Sequence, residues 1–276
     1  MRQKISLAHS PDSDDAFMFY ALAEGKIDDG GFDFVHELSD IETLNQRTSR
    51  GELDVSAVSF HAYPDIAADY ALLPHGASFG DGYGPVVVSA RPMGKTDIGS
   101  EVVAIPGKKT SAALALELWR PGTATAVVPF DEILPAVREG RFVAGVIIHE
   151  GQLTYAEEGL HAVVDLGAWW LGETGLPLPL GGNVIRKALG AETMRAVSTV
   201  LGESISYGLD HREEALSYAM RFARDLDRSR ANRFVAMYVN DWTRGYGEKG
   251  RRAIETFLGR AAAAGLVAPV VIEFAS

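Results

Sequence analysis

A histidine at the end of an apolar run is the residue best placed for proton transfer. Residues 146–148 are Val-Ile-Ile and lead directly into His149 and Glu150. An imidazole has a pKa of about 6.5 in model peptides, so it can accept and return a proton at cellular pH. A histidine that only ends a strand with one hydrogen bond would look the same, and position alone does not decide. His149 is therefore a candidate general base.

Hydroxyl side chains stand at two further turns. Ser56 and Ser59 lie at the end of a short apolar run, and Thr110 and Ser111 open an alanine-rich helix after a glycine and two lysines. The free backbone N–H groups and the dipole of such a helix attract an anion, although helix capping alone would also select these residues. The spacing is not that of a Walker phosphate loop. We predict that all four residues contact an anionic substrate.

The turn at residues 9–15 is polar and acidic. Ser10, Asp12 and Asp14 stand between a predicted strand and a predicted helix, where they can cap the helix or contact a ligand. We include Ser10 and Asp14 among the candidate substrate contacts. Whether Asp12 touches a ligand is left open.

Other common catalytic patterns are absent from the sequence. The chain has no cysteine, which excludes disulfides, thiolate nucleophiles and thiolate metal sites. The remaining histidines lack metal-ligand spacing, and neither H-E-x-x-H nor G-x-S-x-G occurs. We therefore expect no metal site.

Length and charge limit the class of protein. The 276 residues, 47% of them hydrophobic, suffice for two modest domains with real cores. The formal net charge of -11 argues against nucleic acid as a partner, because binding its backbone needs a basic patch. The first residues contain no apolar signal segment, and the most apolar windows are too short to span a bilayer. We expect a cytoplasmic protein without a membrane span.

The strands and helices that position these turns are predicted from the alternation of short β-rich runs with amphipathic stretches. Predicted strands cover residues 4–9, 32–37, 55–59, 101–105, 124–128 and 144–148. Predicted helices cover residues 14–25, 41–51, 61–68, 110–119 and 132–140. Strands separated by helices indicate an α/β fold with parallel βαβ units. Ligands bind such sheets outside the carboxyl ends of the strands, where all four turns are expected.

The last third of the chain has a different pattern. Longer helices are predicted at residues 191–210, 212–226, 230–238 and 248–264, before an apolar end at residues 267–274. Two extended segments with Gly and Pro, residues 82–88 and 175–182, are candidate hinge crossings. Paired crossings divide the chain into a discontinuous lobe, residues 1–88 with 181–276, and an inserted lobe, residues 89–180. This is the arrangement of a bilobal binding-protein fold.

Several stretches together resemble the 1,4-dihydroxy-6-naphthoate synthase family. They lie at residues 10–22, 41–45, 82–85, 145–155 and 165–181, and they include G-V-I-I-H-E and D-L-G-A-W-W. Their shared order and spacing cover nearly the whole chain. The resemblance implies a type II periplasmic-binding-protein-like fold with two lobes, a mostly parallel sheet in each and a two-crossing hinge. It also implies a role in menaquinone biosynthesis by the futalosine route.

The resemblance further implies a reaction and a role for each turn. Family members convert cyclic dehypoxanthine futalosine to 1,4-dihydroxy-6-naphthoate and a three-carbon fragment, without a metal or an organic cofactor. His149 matches the family's proton acceptor, and a base there would start a retro-aldol-like cleavage that ends in aromatisation. Thr110 with Ser111, and the stretch from Ser56 to Ser59, match substrate contacts. The implied partner is a small aromatic carboxylate.

Two positions depart from the family pattern. Ser111 stands where members often carry a second threonine, and the hydroxyl is kept. Residues 12–15 form a more acidic first turn than is usual, which would repel a substrate carboxylate placed beside it. The exact substrate therefore stays open at this point.

Two other functions are also compatible with the sequence. One is a non-catalytic binding protein of the same fold for a small organic anion, against which the lack of a leader and of a lipobox cysteine counts. The other is chorismate dehydratase, which shares the fold and the pathway but lacks stretches like residues 148–150 and 169–170. The sequence does not settle the oligomeric state, and a homodimer is compatible with it.

Overall fold

A computed structural model gives the structure of the chain and describes residues 2–222 and 227–275. The strands are β1 Gln3–His9, β2 Phe32–Leu38, β3 Val55–Ser59, β4 Tyr70–Leu72, β5 Ser78–Gly80, β6 Val86–Ser89, β7 Val103–Ile105, β8 Thr125–Val127, β9 Ala144–Ile147, β10 His161–Asp165 and β11 Leu178–Arg186. The helices are α1 Ser13–Ala23, α2 Ile41–Ser49, α3 Tyr63–Ile66, α4 Ser111–Trp119, α5 Ile133–Arg138, α6 Leu166–Thr174, α7 Ala191–Asp210, α8 Arg212–Ala219, α9 Arg228–Tyr238, α10 Asp241–Arg244 and α11 Gly247–Ala263. No helix among the described residues is long and apolar enough to cross a membrane.

The strands form two sheets, and each sheet is the centre of one lobe. In lobe 1 the strand order is β2-β1-β3-β11-β4, with β5 also paired to β11. In lobe 2 the order is β10-β6-β9-β7-β8. The chain leaves the first sheet after β5, enters the second at β6, and returns on β11. The polar turns that follow β1, β3 and β9 thereby come from both lobes.

The two-lobed α/β fold agrees with the prediction, but the sheets are mixed rather than mostly parallel. The strand β11 runs antiparallel to β3, β4 and β5, and β6 runs antiparallel to β9 and β10. The parallel pairs are β1 with β2 and β3, and β7 with β8 and β9. The cause is that the segments predicted as crossings become strands themselves and run against their neighbours. The lobe boundaries at residues 88 and 181 stay a prediction.

Agreement is best where a helix is long. Helix α7 has the predicted bounds, whereas the predicted helix at residues 61–68 is a 3₁₀ turn, Phe60–Ala62, followed by the short α3. Of the predicted helix at residues 212–226, the structure describes α8, and residues 223–226 lie outside the described part. The apolar end makes an isolated bridge between Leu72 and Phe274 instead of a strand. Three-residue strands such as β4 and β5 are too short to show a periodic pattern.

One large apolar cluster continues from one lobe into the other, beside clusters that belong to a single lobe. It contains Phe60 and Phe79 of lobe 1 together with Val103 and Val146 of lobe 2. In the same core Trp170 of α6 packs edge-to-face on Phe257 of α11, with ring centroids 5.3 Å apart. Apolar packing within this cluster therefore joins the two lobes.

The first crossing segment, residues 82–88, touches the start of α6 at glycines. The backbone of Gly167, in the first turn of α6, lies against the Tyr83 carbonyl, and a Cβ on Gly167 would overlap that oxygen. A Cβ on Gly84 would lie 2.9 Å from the Cα of Gly167. The Asp165 carboxylate fixes this approach, because it accepts hydrogen bonds from the N–H groups of Gly167 at 2.9 Å and Ala168 at 3.0 Å. The crossing leaves no room for a side chain at residue 167.

We expect Gly167→Ala to destabilise the protein by at least the ~1–3 kcal/mol typical of overpacking, because the added methyl group meets backbone that cannot rotate away. Gly172→Ala in the same helix is the matched control, since a Cβ there has no atom within 4 Å. The control should gain up to about 1 kcal/mol from helix propensity. Chemical denaturation of both variants measures the difference. Equal stability of the two variants would contradict the described contact.

Candidate active site

A cleft lies between the lobes, at the carboxyl ends of β1, β3 and β9. It encloses about 830 Å³ with its open mouth included, within the range of about 300–1,000 Å³ usual for small-molecule sites. Its polar lining consists of Ser10, Asp12, Asp14, Asp15, Ser59, Ser78, Thr110, Ser111, Gln152, Asn183 and Tyr238. No lysine or arginine occurs in this lining, as far as the described residues go. Most of the lining surface is apolar, and the charged side chains in it are carboxyl groups.

The structure brings together five of the seven residues that the sequence pointed to. Ser10, Asp14, Ser59, Thr110 and Ser111 line the cleft. Ser56 and His149 stand apart from this wall. Ser56 is fully buried within β3, and its hydroxyl donates to the Ala57 carbonyl at 2.9 Å.

His149 does not itself line the cleft, although residues near it in the chain do. The half-buried ring donates from Nε2 to the Phe130 carbonyl at 2.9 Å, and Nδ1 accepts from the Gly151 N–H at 3.1 Å. A carbonyl only accepts and a backbone N–H only donates, so this pattern assigns the proton of the neutral ring to Nε2. Its neighbours Ile148 and Gln152 do line the cleft. In this arrangement the imidazole caps the 3₁₀ turn Glu150–Leu153.

The start of α4 presents backbone donors to the cleft. The Thr110 hydroxyl accepts from the Ala113 N–H at 3.2 Å, and the Thr110 carbonyl accepts from the Leu114 N–H at 3.2 Å. In the described part of the chain, the N–H groups of Ser111 and Ala112 are the first-turn donors that these contacts leave over. Both residues line the cleft. A carboxylate can bind here, because the helix dipole acts in the same direction.

Lobe 1 holds the turn before α4 in place. The Lys109 N–H donates to a Glu42 carboxylate oxygen at 3.1 Å, and Asn45 donates to the Lys109 carbonyl at 3.4 Å. The buried Asn45 also accepts from the Ser59 N–H at 2.9 Å and donates to the Ser59 hydroxyl at 3.2 Å. The sequence marked residues 41–45 only as part of a family resemblance. Their role is to join two of the polar turns.

A second set of contacts joins α4 to lobe 1. The Ser111 hydroxyl donates to the Leu180 carbonyl of β11 at 2.5 Å and accepts from the His61 N–H at 3.3 Å. The His61 ring donates from Nδ1 to the Thr110 carbonyl at 3.1 Å. Sequence reasoning set His61 aside because it lacks a metal partner. His61 holds the start of α4 in place through its backbone N–H and its ring, and no sequence pattern indicates that role.

The turn after β1 brings three carboxyl groups to the cleft lining, those of Asp12, Asp14 and Asp15. Burial raises the pKa of Asp15 to about 6, and the hydrogen bonds that Asp15 accepts from Ser10 reduce the rise. Burial also raises the pKa of Asp14 well above its ordinary value, and the nearby charges of Asp15, Asp12 and Glu150 raise it further. Like charges this close favour a shared proton over full ionisation. The acidic turn therefore carries less negative charge than its sequence suggests.

The carboxyl groups do not form a metal site in the described residues. No group of three or more His, Cys, Asp or Glu side chains there is arranged to hold an ion. The cleft lining thus offers two kinds of group, backbone N–H groups at the start of α4 and carboxyl groups around Asp14. An elongated ligand with an anionic end and a hydroxylated end would match both.

Comparison with known proteins gives the family. The sequence profile described as "Menaquinone biosynthesis" matches residues 5–263. A 1,4-dihydroxy-6-naphthoate synthase of Streptomyces coelicolor is 38% identical over 269 residues, which is 95% of this chain and 94% of that protein. The enzyme of the same name from Thermus thermophilus is 39% identical and covers 97% of both chains.

Solved structures agree on the fold. A crystal structure from Archaeoglobus fulgidus is 44% identical, covers 96% of this chain and 98% of its own, and has a TM-score of 0.90. The alkanesulfonate-binding protein SsuA from Xanthomonas axonopodis pv. citri is 11% identical, covers 98% of this chain and 96% of its own, and has a TM-score of 0.74. The second likeness shows the periplasmic-binding-protein fold alone. Together with the cleft between two lobes, these matches place the chain in the menaquinone-biosynthesis family that includes the 1,4-dihydroxy-6-naphthoate synthases, and it is an enzyme.

Proposed function

We propose that the protein is a carbon–carbon lyase that converts cyclic dehypoxanthine futalosine to 1,4-dihydroxy-6-naphthoate, with His149 as the general base. The assignment rests on two kinds of group in the cleft: N–H groups that can bind an anion, and carboxyl groups that can hold a proton. The substrate has a carboxylate to match the N–H groups and an oxygenated, non-aromatic part to match the carboxyl groups. We propose the cytoplasm as the compartment of the protein. The proposed partner is a small aromatic carboxylate.

The carboxylate of the substrate binds at the start of α4. Ser111 and Ala112 line the cleft, and hydrogen bonds to lobe 1 hold the turn that carries their N–H groups. A preorganised donor pair loses little freedom on binding, so it adds affinity and orientation together. Ser59 and Ser10 also line the cleft and supply hydroxyl groups to it.

His149 acts through Nδ1. The Phe130 carbonyl holds the proton on Nε2 and would stabilise the imidazolium, much as a carboxylate does in other enzymes. Proton transfer requires the Gly151 N–H to leave Nδ1, so the ring must turn toward the cleft when substrate binds. Such contacts commonly tighten or exchange only in the substrate complex. The base removes a hydroxyl proton of the substrate, and the electron pair left on that oxygen forms the carbonyl of the departing three-carbon fragment. The adjacent carbon–carbon bond breaks, and its electron pair stays with the ring system, which becomes aromatic.

Asp14 acts as a hydrogen-bond donor that complements the base. A protonated carboxyl in the cleft can donate to the substrate oxygen on which negative charge develops. Since its raised pKa favours the protonated form, Asp14 does not repel the substrate as a carboxylate would. The acid and the base then reach the cleft from different lobes, and closure brings them together.

The direct test is incubation of the purified protein with cyclic dehypoxanthine futalosine. Formation of 1,4-dihydroxy-6-naphthoate, followed by absorbance and by mass, is the expected result. Absence of product, together with tight binding of a different organic anion, would instead support a non-catalytic binding protein.

His149→Ala should lower kcat by about 10²–10⁴-fold, the usual effect of losing a general base. His161→Ala is the matched control, because His161 is exposed on β10 and is not part of the cleft lining. Steady-state kinetics of both variants make the comparison. Wild-type kcat in His149→Ala would remove the histidine from the mechanism without touching the overall reaction.

Asp14 predicts an alkaline limit of activity. The working form is protonated, so kcat should fall as the pH rises through the raised pKa of Asp14. Asp14→Asn keeps a donor that does not ionise and should retain activity to higher pH, whereas Asp14→Ala should lose roughly tenfold or more at every pH. The pH profiles of kcat for the three proteins give the result. An unchanged alkaline limit in Asp14→Asn would assign that limit to another group.

A further inference from the structure

We propose that Tyr238 is a positioning residue that acts through Gln152 and holds the His149 loop against lobe 1. The His149 loop is defined as residues 148–153, which follow β9. The proposal rests on the proposed role of His149 as the base. It concerns a contact between the lobes that neither the sequence motifs nor the comparisons assign.

The contact is a hydrogen bond across the cleft. The Tyr238 hydroxyl donates to the Gln152 Oε1 at 2.5 Å, and the two residues are only 4% and 9% exposed. Tyr238 ends α9, which packs on α1 and β5 of lobe 1, while Gln152 belongs to lobe 2. Both side chains line the cleft. A change in the angle between the lobes must therefore stretch or break this bond.

Gln152 passes the constraint on to the backbone of His149. Its N–H donates to the His149 carbonyl at 2.9 Å, and its Nε2 donates to the Ile147 carbonyl at 3.4 Å. The amide is thus used at both ends, with its oxygen held by lobe 1 and its nitrogen held by the end of β9. Rotation of the amide would exchange a donor for an acceptor and break both contacts. The Ile147 carbonyl, two residues before His149, is held by this one orientation of the amide.

Helix α9 is itself attached to a crossing between the lobes. The Tyr83 hydroxyl, between β5 and β6, donates to the Met237 carbonyl, and the rings of Tyr83 and Tyr238 meet edge-to-face with centroids 5.9 Å apart. A second link from α9, between Arg230 and Glu157 at 2.9 Å, is exposed and contributes little because water screens it. The buried Tyr238–Gln152 bond is stronger, since it lies in a region of low dielectric constant. Movement at the crossing is thereby coupled to the His149 loop.

Two nearly isosteric variants test the coupling. Tyr238→Phe removes only the donor, and Gln152→Met removes only the amide. We expect each to lower kcat by about tenfold, the effect of one lost hydrogen bond to an aligned group, while KM changes by less than about threefold. The double variant should be no worse than the poorer single variant, because both remove the same bond. Tyr63→Phe is the control, since it removes a buried hydroxyl that contacts Glu273 away from the cleft lining, and its kcat should equal that of the wild type.

Hydrogen–deuterium exchange separates this proposal from the proposed function. Without substrate, amide exchange of the peptide covering the His149 loop should rise about tenfold in Tyr238→Phe and in Gln152→Met, and it should not rise in Tyr63→Phe. Faster exchange in a protein that does not turn over the substrate would support the positioning role while the proposed function fails. Unchanged exchange in both variants would overturn the positioning role, and so would multiplicative losses of kcat in the double variant.

Discussion

The start of α4 is the constraint on which the cleft depends. Its N–H groups face a ligand only if the turn before the helix keeps its shape, and that turn belongs to lobe 2. The structure meets this demand with donors and acceptors from lobe 1, chiefly Glu42, Asn45 and His61. Thr110 satisfies the next two N–H groups of the helix by itself. The anion site is thus built from one lobe and held by the other.

Around Asp14 the cleft contains an excess of carboxyl groups. Burying several ionised carboxylates together is costly, and proton uptake is the usual relief. Hydrogen bonds from Ser10 stabilise the charged form of Asp15 and limit the rise in its pKa. Burial and neighbouring charges therefore raise the pKa of Asp14 further than that of Asp15. In the proposed function this difference in charge would give the substrate one preferred direction. It would also remove the difficulty that the acidic first turn posed for a carboxylate substrate.

Local signals in the sequence were sufficient for the turns but not for their partners. A strand followed by a hydroxyl or a histidine and then a helix is visible within ten residues, which is why Ser59, Thr110 and His149 could be named. The direction of β11 was not visible, because a strand carries no mark of the neighbour it will pair with. Tyr238 and Gln152 are 86 residues apart in the chain, and His61 meets Thr110 across 49 residues. Such pairs depend on the packing of whole lobes, and single side chains give no pattern for them.

The apolar core shared by both lobes has a consequence for folding. A lobe whose apolar contacts were all its own could unfold alone, and heating would then show two transitions. Each lobe has a cluster of its own, but Phe60, Phe79, Val103 and Val146 belong to a cluster that both lobes share, and the glycine contact joins the first crossing to α6. The chain should therefore melt as a single cooperative unit, and the inserted lobe should not be transferable to another scaffold as an independent module.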